Sequence, residues 1–138
     1  MKRQEINEEK SDLEKFQDFM FEMSDVLELF ISTASENGYI LDYSLDSLEH
    51  LIDSTEEKNV NFMNRCARYL GEVFRKELGG YWDIDLENPV NLYYKLPVIA
   101  KFIATAPDCT FCPLMVVRNY ILGGKRGLFL GALNANRL

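Results

Sequence analysis

The chain has 138 residues, of which 22 are Asp or Glu and 15 are Lys or Arg, giving a net charge of −7, with 47% apolar residues, three cysteines and one histidine. This is enough sequence for one core without metal or disulfide staples, which excludes both a disordered tail protein and a pair of catalytic and substrate domains. The acidic balance argues against a nucleic-acid partner, because phosphate contacts need a positive face.

The elements follow in chain order within a single domain spanning 1–138, its residues 1–10 polar and frayed. Ser11 with Glu14 forms the S-x-x-E capping box that opens a helix. Leu13, Phe16, Met20, Met23, Leu27, Phe30 and Ala34 then recur at alternating spacings of 3 and 4, a heptad seam widened by Phe19, Val26 and Ile31. The spacing predicts one long helix stopped by Gly38, lying on a core or zipping a homodimer. Residues 39–43 read as extended, and Asp46 with Glu49 repeats the capping-box pattern at the start of a brief helix to about Asp53.

From Val60 the helical period returns. Met63, Cys66, Ala67, Leu70, Val73, Phe74 and Leu78 share one side, with Arg65, Arg68, Glu72, Arg75 and Lys76 on the other, and Gly79-Gly80 ends the helix. Gly71 at mid-helix implies a tight crossing. Glu72, four residues from both Arg68 and Lys76, reads as part of a surface ion-pair ladder, and Trp82 as a core plug under the helix end.

Residues 81–86 alternate large apolar with acidic side chains, the pattern of a half-buried strand, and Glu87-Asn88-Pro89 turns the chain. Residues 90–96 and 98–104 are both β-compatible, the latter also helix-compatible. Cys112-Pro113 starts a helix that Gly123-Gly124 closes, and residues 128–136 add a last one. This order predicts an α+β fold: a long N-terminal helix and a second long helix packed on one face of a small antiparallel sheet, followed by C-terminal helices.

Few residues carry chemistry. Cys109-x-x-Cys112 ahead of a helix is the spacing of a dithiol redox pair. Its surroundings resemble a thioredoxin-like site, but only 26 residues follow Cys112 and no proline occurs beyond Pro113. Cys66, Cys109, Cys112 and His50 are the right residue types for zinc but offer one pair at ligand spacing, so neither a metal nor a cofactor is expected. Asp83 and Asp85 face water from one strand. Gly123-Gly124-Lys125-Arg126-Gly127 lacks the order of a phosphate loop and reads as a basic turn.

Arg68-Tyr69-Leu70-Gly71-Glu72-Val73, then Leu78-Gly79-Gly80-Tyr81-Trp82, with residues 41–48 upstream, resemble a family of small uncharacterised bacterial domains. In that family a Tyr-Leu-Gly-Glu-Val helix runs into Gly-Gly-x-Trp and a short sheet. The resemblance covers about residues 39–86. It implies a fold rather than a reaction, and some such domains look like immunity proteins of toxin systems.

Charge is unevenly distributed: residues 1–60 hold 16 acidic and 5 basic side chains, a balance of −11, against +4 for the remainder. Together with the missing catalytic constellation, this split leads to the expectation of a non-catalytic module that binds another, basic protein, as an immunity-type inhibitor would. Glu22, Asp25, Glu28, Asp42 and Asp46 would steer the encounter, and Tyr39, Tyr43, Trp82, Tyr93 and Tyr94 would anchor it. The alternatives are a thiol-disulfide oxidoreductase using Cys109 and Cys112 and the seam-zipped homodimer. No apolar leader follows Met1-Lys2-Arg3 and no apolar run reaches membrane length, so a cytoplasmic location without membrane contact is expected.

Overall fold

Ser11 caps the first helix as its sequence predicts. Its hydroxyl accepts from the Glu14 N–H at 3.2 Å, and the Glu14 carboxylate accepts from the Ser11 N–H at 2.9 Å. A computed structural model describes residues 10–137, so the expected fraying of residues 1–10 lies outside the described residues apart from Lys10, whose ammonium pairs with Asp18. The described residues form an α+β fold of helices α1 (Asp12–Phe21), α2 (Met23–Glu36), α3 (Leu45–Ser54) and α4 (Val60–Leu78), strands β1 (Tyr81–Asp83), β2 (Val98–Ala100) and β3 (Thr110–Phe111), and helices α5 (Pro113–Gly123) and α6 (Leu128–Ala135).

The expected long N-terminal helix is two helices. Glu22 still donates to the Asp18 carbonyl and Val26 to that of Glu22, but the Phe19 carbonyl accepts from the Arg68 guanidinium of α4 at 2.6 Å instead of from the Met23 N–H. A side chain entering the i to i−4 ladder is an ordinary cause of a helix break. The seam divides at the same place: Met23, Leu27, Phe30 and Ala34 are buried, while Leu13 and Met20 are exposed. Its C-terminal half is therefore occupied inside the chain.

The N-cap of α3 is Ser44 rather than Asp46, its hydroxyl accepting from the Ser47 N–H at 3.2 Å. Leu48, Leu51 and Ile52 then fall on the core side. The same register carries Glu49 into the interior, where it is 1% exposed.

Helix α4 is the hub. Its residues 66–71 are all buried, and α2, α3, α5 and β2 pack around it. The N-terminal helices thus lie on α4 instead of sharing one face of the sheet with it, and α1 reaches β1 through the edge-to-face contact of Phe19 with Trp82 at 5.1 Å. The tight crossing expected at Gly71 is present, since a Cβ there would stand 2.2 Å from the Trp82 ring. The expected ladder at Glu72 is not. Arg68 has turned inward and Lys76 lies over the Tyr43 ring, so Glu72 accepts from Arg75 at 3.0 Å and from the Trp82 indole N–H at 2.7 Å.

The sheet is antiparallel in the order β1-β2-β3, with Trp82 opposite Ile99 and Ile99 opposite Phe111. It is smaller than the alternation suggests. Residues 90–96 form no strand, because nearby side chains hold their N–H groups: Asn88 accepts from Val90 at 3.1 Å and Asn91 from Tyr93 at 3.0 Å. Asp85 likewise accepts from Glu87 and Asn88 at 2.9 and 3.1 Å. Such local bonds compete directly with a ladder. β2 stops at Ala100, since Lys101 has φ 62.

Helix α5 starts with Pro113 after Cys112. Helix α6 begins after Gly127, which has no side chain to cap it. Glu49 of α3 supplies the acceptor instead, taking the Gly127 N–H at 3.0 Å and the Phe129 N–H at 3.5 Å. A carboxylate is also the charge that a helix N-terminus favours. Next to it, the Tyr120 hydroxyl of α5 donates to Asp53 of α3 at 3.0 Å. No described helix is long and apolar enough to cross a membrane.

Candidate functional site

The outer face of α2 is an exposed charged surface. Glu22, Asp25 and Glu28 recur every third residue, which keeps them on one side of the helix, and all three are exposed. The opposite side carries Met23, Leu27, Phe30 and Ala34 into the core. Phe21, the last residue of α1, stands immediately before this charged run and is 89% exposed. Sequence reasoning missed Phe21, although its place outside the heptad seam was the available signal.

Asp42 and Asp46 are also exposed, but on the turn before α3 and in its first turn rather than on α2. Ser44 donates to the Asp42 carboxylate at 3.0 Å, and its hydrogen bonds hold that carboxyl below the usual Asp range. Tyr43 stacks on the buried Tyr69 with 5.0 Å between centroids, and its N–H donates to the Tyr69 hydroxyl. Tyr43 has a positive φ of 66. Tyr39 meets His50 edge to face at 5.3 Å. Both tyrosines are half-buried and engaged within the chain.

Tyr93 and Tyr94 are half-buried in the irregular 84–97 segment, where Lys95 pairs with Asp12 at 3.1 Å and stands over the Tyr94 ring at 5.4 Å. Trp82 is no surface anchor. It is 5% exposed, wedged between Gly71 and Phe19. Its role as a core plug is the one that its position supports.

Cys109 and Cys112 flank β3, Cys109 exposed and Cys112 buried. An extended strand advances about 3.3 Å per residue, so three steps separate the two Cα atoms by about 10 Å, beyond disulfide reach. Burial also pushes the Cys112 thiol up, away from the thiolate that redox chemistry needs. Pairing the two thiols would require β3 to leave the sheet. Cys66 is deeply buried in α4 and its thiol is likewise raised by burial. Among the described residues no three His, Cys, Asp or Glu side chains converge as metal ligands, so Cys66, Cys109, Cys112 and His50 are not brought together.

Two buried charges escaped the sequence reading. Glu49 fell in the expected α3 and Arg68 on the polar side of α4, yet both are nearly sealed from water. Arg68 lies over the Phe19 ring at 4.0 Å, and burial lowers its pKa from the usual Arg value, with Glu22 acting in the other direction.

A hollow of about 530 Å³ opens between the C-terminal half of α2, the end of α3 and the first turns of α4. Its walls are mainly apolar. No known family model matches the chain, and neither a curated relative nor a solved structure resembles it at a significant level.

Proposed function

We propose that this chain is a non-catalytic interaction module that presents the outer face of α2 to a basic protein, in the manner of an immunity-type inhibitor. The observation that carries this reading is the exposure of Asp25 and Glu28 on α2 and of Glu22 at its N-cap, on a helix whose other side is anchored in the core, with Phe21, the last residue of α1, 89% exposed immediately before them. Exposed carboxylates steer a positively charged partner and set the approach rate, while an aromatic ring among them supplies contact area once water is displaced. The helix behind them is held by buried packing, so the surface is formed before any partner arrives.

The test uses the whole chain as bait against candidate basic partners, beginning with the product of any adjacent reading frame. A Glu22→Lys/Asp25→Lys/Glu28→Lys variant and a Phe21→Ala variant serve as controls. The expected result is association whose rate falls steeply from about 50 to about 500 mM salt, is abolished by the charge reversals and dissociates faster in Phe21→Ala. A partner bound equally by wild type and both variants would overturn the reading.

A further inference from the structure

We infer that the hollow between α2, α3 and α4 is a binding site for a small amphipathic monocarboxylate, with an alkyl or aromatic body and one anionic head. At about 530 Å³ it falls in the size range of small-ligand sites. Leu29, Phe30, Leu51 and Phe62 supply apolar wall from three helices, and Tyr39 joins the lining. Thr33 and Ser54 place hydroxyl groups on the same lining.

The sign of the head group follows from Arg65. It is the one charged residue in the lining, and it stands one turn beyond Phe62 on α4. It is exposed, and among the described residues it makes no ion pair. An arginine without an ion-pair partner among the described residues, on the lining of an apolar hollow, points to an anion supplied from outside. Asp53, next to the lining residue Ser54, instead meets Tyr120.

Backbone carbonyls at the ends of α2 and α3 would ordinarily repel an anion, but those of the lining residues Thr33 and Leu51 accept side-chain donors. The Asn37 side chain donates to the Thr33 carbonyl at 2.9 Å and the Thr55 hydroxyl to that of Leu51 at 2.7 Å. The Lys58 ammonium donates to the Thr55 carbonyl, which brings a second positive charge to the rim. An alkyl chain would lie along the apolar walls, with its carboxylate accepting from the Arg65 guanidinium.

The experiment is titration calorimetry of the full chain with sodium decanoate below its micelle concentration, compared with octanoate and decanol. Decanoate is expected to bind saturably at one per chain, and octanoate about fifteenfold more weakly, since each buried methylene is worth roughly fourfold. Arg65→Gln should weaken decanoate about tenfold while leaving decanol unchanged. Thr33→Trp, a change at an exposed position, should fill the hollow and abolish binding without altering the circular dichroism spectrum. Three results would overturn the inference: no saturable binding at about 1 mM decanoate, binding untouched by both variants, or equal affinity for decanoate and decanol. None of these bears on the α2 surface, whose partner assay is separate.

Discussion

The same functional group does opposite work in two regions of this molecule. On the outer face of α2, Glu22, Asp25 and Glu28 stand in water with the buried side of the helix behind them. At the junction of α3 with α6, Glu49 is 1% exposed and holds the N–H groups of Gly127 and Phe129. Burying a carboxylate is tolerated only where donors replace water, and a helix N-terminus offers several at once with a favourable dipole. Composition therefore says little about what an acid does. Its partner across the fold decides.

The sharpest way to break this contrast is Glu49→Ala, which removes the acceptor of the buried Phe129 N–H and of the part-buried Gly127 N–H. Urea denaturation should show a loss of about 3 kcal/mol, and a loss below about 0.5 kcal/mol would mean that Glu49 caps nothing. Glu72 is the intermediate case, half-exposed and bonded to Arg75 and the Trp82 indole. Glu72→Gln should cost about 1 to 1.5 kcal/mol and shift the emission of the single tryptophan, with unchanged emission counting against the bond.

Next comes the phenol beside the buried corner. Burial first, then the Asp53 hydrogen bond and charge, push Tyr120 up to about 12. Since the folded state favours the protonated phenol, this stabilisation is complete below about pH 10 and disappears as the pH climbs towards 12. Tyr120→Phe should cost about 1 kcal/mol at neutral pH and flatten that alkaline decline; an identical decline in the variant would assign it elsewhere. The smallest effect belongs to the surface. A Glu22→Gln/Asp25→Gln/Glu28→Gln triple variant should move stability by no more than about 0.5 kcal/mol per site, and a larger change would show that the α2 face is structural.

What the sequence made legible is local. The Ser11 capping box, the stop at Gly79-Gly80 and the Cys112-Pro113 helix start each depend on neighbours within a few residues. The break at Glu22 was hidden because its cause, Arg68, lies 49 residues from the Phe19 carbonyl it takes. The missing strand at residues 90–96 shows the reverse limit: β-compatible side chains lost to Asp85, Asn88 and Asn91, whose short-range bonds claim the backbone first. At the candidate site, charge patterning located the carboxylates of α2, and of the two roles read for Trp82, core plug and binding anchor, the fold supports the first. The proximity of Trp82 to Gly71 is a property of the folded chain alone.

The bond from Glu49 to Gly127 spans 78 positions, and this separation governs how the molecule can be made. During synthesis α3 emerges long before the amides that its glutamate will receive, so the carboxylate must stay hydrated until α6 leaves the ribosome. Closure of this corner is thereby deferred until α6 has been made, and a nascent chain stalled ahead of residue 127 would carry an open flank where the folded chain has a seal.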